Sequence, residues 1–133
     1  MTMHTILQPA GWAQPKGYAN GVAAKGRNIF VSGMIGWDPQ GKLVSKDFVE
    51  QVRQTLKNIV HVLAEARAKP EHIVRMNWYV VDKKEYIGAY KELGKVYREI
   101  IGSHYPAMTA VQVIGLIEDG ARVEIEVTAV LPD

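Results

Sequence analysis

The sequence predicts an α+β fold: a mixed sheet with two helices packed on one face. Three observations lead there. Two stretches carry apolar residues at helical spacing, Phe48 to Leu63 and Tyr86 to Ile100. Three others, "NIFVS", "HIVRMNWYVV" and "ARVEIEVTAV", are β-rich or alternate strictly. Their order reads β-β-β-α-β-α-β-β along 133 residues, a length that suits a single domain spanning 1–133.

The elements follow in chain order. His4 to Gln8 suits a short edge strand, and the Pro- and Gly-dense "PAGWAQPKGYANG" after it reads as a loop. A strand is expected at Val22 to Ala24, a turn at Gly26 and a longer strand at Asn28 to Ser32. The Asp-Pro and Gln-Gly of "GWDPQGK" predict a tight turn. Ser45 offers an N-cap, with Asp47 in the first turn of a helix whose buried stripe is Phe48, Val52, Leu56, Ile59 and Leu63. Pro70 ends the link to the next strand. There Val74, Met76, Trp78 and Val80 point one way, and Arg75, Asn77, Tyr79 and Val81 the other.

Asp82 and Glu85 form a capping pair for the second helix, and Gly102 is its stop. Tyr86, Tyr90, Leu93, Tyr97 and Ile100 mark its buried side. Gly88 and Gly94 each weaken that helix by about 1 kcal/mol relative to alanine, a loss that close approach to the sheet would explain. Pro106 then biases Tyr105 toward extended geometry, and a strand follows with Thr109, Val111 and Val113 alternating with Ala110 and Gln112. In the last strand Ala121, Val123, Ile125, Val127 and Ala129 form the apolar face; Arg122, Glu124, Glu126 and Thr128 form the other. Residues of the Met76 or Tyr79 kind remain on the helix-free face of the sheet, and oligomerisation is the simplest cover for it.

Composition narrows the function. Hydrophobic residues make up 47% and charged residues 23%, which is ordinary for a folded chain. A net charge of +2, with no basic stripe, argues against nucleic acid as the partner. The absence of cysteine removes disulfides, thiolate catalysis and cysteine metal sites. The N-terminal stretch has no apolar core long enough for a secretory signal, and no run approaches a membrane span, so a cytoplasmic protein is expected. Dinucleotide, P-loop and HExxH signatures are missing, and His4, His61, His72 and His104 have no metal-ligand spacing, so neither metal nor cofactor is expected. Ser32 lies outside any GxSxG elbow.

What remains is the carboxylate pair Glu124 and Glu126 on one strand face. It reads either as a solvated face or as one glutamate that holds water at a subunit junction. Met108 stands where the turn hands over to a strand, a frequent place for a reacting side chain.

"GYANGV", "NIFVSGMIGWDPQGKLV", "EQVRQTLKNIVHVLAEA", "YPAMTAVQV" and "VEIEVTAV", in this order, resemble the RidA family, also called YjgF/YER057c/UK114, from about Pro15 onward. The resemblance implies a chorismate mutase-like α+β fold and a homotrimer with three sites between subunits. It implies hydrolysis of reactive enamines and imines to a 2-oxo acid and ammonia, without a cofactor. By the same resemblance, Tyr18 falls on a pocket tyrosine, Gly33 and Ala110 on positions whose backbone groups contact the ligand, and Glu124 on a water-holding glutamate. Met108 falls on the arginine of "PAR" that clamps the substrate carboxylate, and Gly94 stands near the place of a second-helix asparagine.

The chain therefore reads as a divergent member lacking the carboxylate-binding arginine. Arginine holds a carboxylate through paired charge-assisted bonds. Its loss forfeits roughly 1.5–3 kcal/mol, about ten- to a hundredfold in binding. Methionine offers adaptable apolar contact instead. Either Arg75 or Arg122 supplies another cation, or the ligand is less charged, with Met34 and Trp37 part of a more apolar pocket. The function expected is an enamine/imine deaminase of altered substrate specificity acting on a small metabolite; the alternative is a non-catalytic trimeric small-molecule-binding protein. A ribonuclease is a third reading, which the mild charge disfavours.

Overall fold

A computed structural model describes residues 4–133. A small two-stranded sheet pairs β1 (Thr5–Leu7) with β2 (Gly21–Ala23), the second strand one residue earlier than its sequence suggests. The main sheet is built from β3 (Arg27–Met34), β4 (Ile73–Val80), β5 (Ala107–Gln112) and β6 (Val123–Leu131), in the order β3-β6-β4-β5. Only β4 and β5 run parallel, so the sheet is mixed. The long helix α1 (Phe48–Glu65) and the pair α2 (Lys83–Gly88) and α3 (Tyr90–Ile100) occupy the connections.

The α1 stripe is buried as its spacing requires: Val52, Leu56, Ile59 and Leu63 have no exposed surface and pack with Met76, Ile125 and Val127 of the sheet. Each such side chain stabilises the fold by about 1.5–3 kcal/mol relative to exposure. The cap differs from expectation. Asp47, not Ser45, closes the helix by accepting from the Glu50 N–H at 3.0 Å, while Ser45 Oγ accepts from the Asp47 N–H one step outside. Two polar residues, Gln51 and Thr55, share the buried face. Gln51 Nε2 donates to the carbonyls of Ser45 and Gly120, and its Oε1 accepts from the Arg122 N–H at 2.8 Å. The fully buried Gln51 amide thereby fixes where β6 begins.

The second helix is two. Asp82 caps α2 by accepting from the N–H groups of Lys84 and Glu85, but Glu85 turns to Arg122 rather than back to the cap. The helix is interrupted at Ala89, and α3 alone presents buried residues, Leu93, Val96 and Tyr97. Gly102 ends this segment with φ +94, a backbone region in which a side chain would be strained.

In β4, Met76, Trp78 and Val80 face the helices. A register shift between Ile73 and Arg75 buries Ile73 in place of Val74. The opposite face carries Tyr79 but not Met76. It also presents Phe30, 75% exposed, and Val111, 43% exposed. No helix among the described residues is long and apolar enough to cross a membrane.

Candidate functional site

The parallel register of β4 and β5 places the first group of candidate residues. Met76 lies beside Met108 and Trp78 beside Ala110, so Met108 and Ala110 share the helix-facing side of the sheet. Tyr18 reaches them because its neighbour Ala19 donates its N–H to the Pro106 carbonyl at 2.9 Å and bridges to Ala107. Together they line a cup of about 590 Å³ between the β5 edge and α3, a size within the range of small-molecule pockets.

Aromatic rings build its wall. Tyr86 stands edge-on to Tyr90 at 5.3 Å, and Tyr97 stacks on Tyr105 at the same distance. Burial raises the phenol pKa of Tyr97, and its hydroxyl donates to the His104 carbonyl at 2.6 Å. Burial, then the neighbouring Tyr90, raises that of Tyr86 as well. Both rings are neutral at physiological pH. The indole N–H of Trp78 is buried without a hydrogen-bond partner among the described residues. Lys16 and Arg98 are the charged residues of the cup.

Glu124 and Gly33 lie elsewhere. Glu124 pairs with Tyr79 and Glu126 with Asn77, which puts both acids on the helix-free face. There Glu126 is tied down: Oε1 accepts from Tyr79 Oη at 2.6 Å and Asn77 Nδ2 at 3.1 Å. These two bonds hold its carboxyl below the usual range, and the same contact raises Tyr79. Glu124 makes no such bonds among the described residues. It is half-buried, and its carboxylate lies directly over the backbone of Gly33, where any β-carbon would collide with it. The arrangement leaves one carboxylate locked and the other open to bind water.

The expected site residues thus fall into two groups on opposite faces of one sheet: Tyr18, Met108 and Ala110 at the cup, Glu124 and Gly33 behind it. Met34 and Trp37 belong to neither. Met34 packs against the core beside Ile125, and Trp37 pairs with Leu43. Arg75 lies on the helix-free face in the hollow that contains Glu126, and Arg122 is held by Glu85 at 2.7 and 2.9 Å, so neither cation lines the cup. His104 Nε2 bonds the Ile73 carbonyl at 2.7 Å and is outside the cup lining. Among the described residues no three His, Asp or Glu side chains gather closely enough to hold a metal ion. A larger hollow, about 710 Å³ beside Arg27 and Arg67, contains none of these groups.

Sequence reading missed Lys16 and Arg98 as cup residues. For Arg98 a signal existed: it stands one helical turn after Gly94, on the same side of α3.

Residues 12–131 match the family model described as Endoribonuclease L-PSP. A RutC family protein from Aquifex aeolicus is 40% identical over 131 residues, covering 96% of this chain and 99% of that one. The human 2-iminobutanoate/2-iminopropanoate deaminase is 34% identical over 105 residues, 78% of this chain and 73% of that one. Among solved structures, a Yersinia pestis protein of the Rid family, described as of unknown function, superposes with a TM-score of 0.84 at 28% identity over 98% of this chain and all of that one. A Mycobacterium tuberculosis member of the YjgF/YER057c/UK114 family gives 0.64 at 31% identity, over 86% and 87%.

Proposed function

The chain belongs to the RidA (YjgF/YER057c/UK114) family, and on that premise we propose that it hydrolyses imines and enamines to carbonyl compounds and ammonia. The observation that carries the reading is the half-buried Glu124 carboxylate lying over Gly33, free of the bonds that lock its neighbour Glu126. Such a group can hold a water and take its proton. Water adds to the C=N carbon as Glu124 accepts a proton. The proton then passes to nitrogen to give a carbinolamine; its hydroxyl proton moves to nitrogen in turn, the C–N bond breaks, and ammonia leaves a C=O behind. An enamine enters the same path after proton transfer to its carbon.

The substrate side of the site is the cup. Tyr18 covers the ligand, Met108 shapes the wall, and backbone groups of Ala110 and Gly33 orient the reacting atoms. Because Glu124 and the cup sit on opposite faces of one sheet, the site is complete only where two copies meet. This supports a homotrimer of chorismate mutase-like subunits, with sites between them and the exposed Phe30 and Val111 covered. The absence of an arginine at Met108 supports a substrate range shifted away from small imino acids. The net charge of +2 favours a small metabolite over RNA.

The test is ammonia release from imines generated in situ by an amino-acid oxidase, with and without the protein. The native chain accelerates release, and Glu124→Gln loses the acceleration while keeping its fold and assembly. If the variant matches the native chain, Glu124 is part of a solvated face and the hydrolase reading falls.

A further inference from the structure

We propose that Arg98 is the carboxylate-binding residue of this protein, and that the cup takes a 2-imino acid with an aromatic or large apolar side chain. This rests on the hydrolase reading for the word imino; the recognition of a carboxylate beside an apolar body does not.

The charge distribution comes first. Lys16 and Arg98 line the cup, no acidic residue does, and neither cation joins an ion pair among the described residues. The other cations considered for this role are committed elsewhere: Arg122 to Glu85, and Arg75 to the opposite sheet face. An aromatic hollow rimmed by unneutralised cations is complementary to an anion with an apolar body.

Geometry singles out Arg98. A helical side chain leans toward the N-terminus of its helix, over the residue four positions earlier. For Arg98 that residue is Gly94, and Nη1 stands 3.2 Å from where a β-carbon at 94 would be. With no side chain at 94 in the way, the exposed guanidinium lies back along α3 at the rim of the cup. Open space, not the sheet, surrounds Gly88. Gly94 is therefore explained by Arg98 and not by close approach to the sheet.

Met108 completes the argument. It lines the same cup and packs against the core. The strand side of the cup is thus apolar while the helix side carries the charge. A ligand whose carboxylate reaches α3 must span the floor formed by Met108 and Trp78. A small imino acid leaves that floor uncovered, whereas an aryl or branched side chain fills it.

Binding of stable 2-oxo acids to the full chain tests this by calorimetry, separately from turnover. Phenylpyruvate should bind at least tenfold more tightly than pyruvate. Arg98→Met should weaken phenylpyruvate about ten- to a hundredfold, and Arg98→Lys by less. The methyl ester of phenylpyruvate, which lacks the charge, should bind the native chain and Arg98→Met equally. The inference is overturned if the native chain does not bind phenylpyruvate, if Arg98→Met binds it as tightly, or if the ester loses as much as the acid. Should this pattern hold while no imine is hydrolysed, the hydrolase reading falls and the Arg98 site stands. Should the imine of phenylalanine be hydrolysed with the same KM by the native chain and by Arg98→Met, the reverse is true.

Discussion

Glu124 rests its carboxylate on Gly33, so the glycine at 33 is the reason the carboxylate can lie where it does. A β-carbon there meets the flexible end of a side chain, not backbone. Gly33→Ala should therefore turn Glu124 aside with little loss of stability. Hydrolysis should fall by about the hundredfold or more typical of a removed acid–base group. The double variant Gly33→Ala, Glu124→Gln should be no worse than Glu124→Gln alone, because both changes remove one function. Additive losses in kcat/KM would separate the two residues.

Assembly is the second expectation. Light scattering should give about 44 kDa, three times the 14.8 kDa chain. A monomer that persists at micromolar concentration would leave Glu124 and the cup apart, and would refute the site between copies.

Glu126 makes stability depend on pH. Folding lowers its pKa through the bonds from Tyr79 and Asn77. The resulting stabilisation is present in full above the unfolded carboxyl value, about 4.3, and disappears as pH falls through the lower folded value. Thermal midpoints measured from pH 2 to 7 should therefore drop less on acidification in Glu126→Gln than in the native chain. Parallel curves would mean that the two bonds do not favour the charged form.

Met108→Arg tests the altered substrate range. It should raise kcat/KM on the imine of alanine, the small imino acid, relative to that of phenylalanine. The gain is limited by the cost of fitting a guanidinium beside Trp78 and Tyr105, several kcal/mol if it stays buried and unpaired. High native activity on the small imino acid, unchanged by Met108→Arg, would show that position 108 does not set the range.

The sequence by itself determined the periodic parts of this protein. The stripe from Phe48 to Leu63, the alternation of Met76, Trp78 and Val80, and that of Val123, Ile125 and Val127 follow from helix and strand geometry, and each is buried as its period requires. The quoted motifs also led to the family. Cap choice was less legible, since Ser45 and Asp47 both suit an N-cap and only backbone direction selects Asp47. Gln51 and Thr55 lay in plain view as polar residues on a buried stripe, but their partners, up to 71 positions away, did not. Tertiary structure alone decided the faces. Alternation within Met108 to Gln112 divides the residues into two sets without saying which set meets the helices. That depends on how β5 registers with β4, a pairing between segments some thirty positions apart. That register puts Met108 on the helix side, and the register of β6 with β4 turns Glu124 to the other side, because neighbouring strands share a face residue by residue, whatever their separation along the chain.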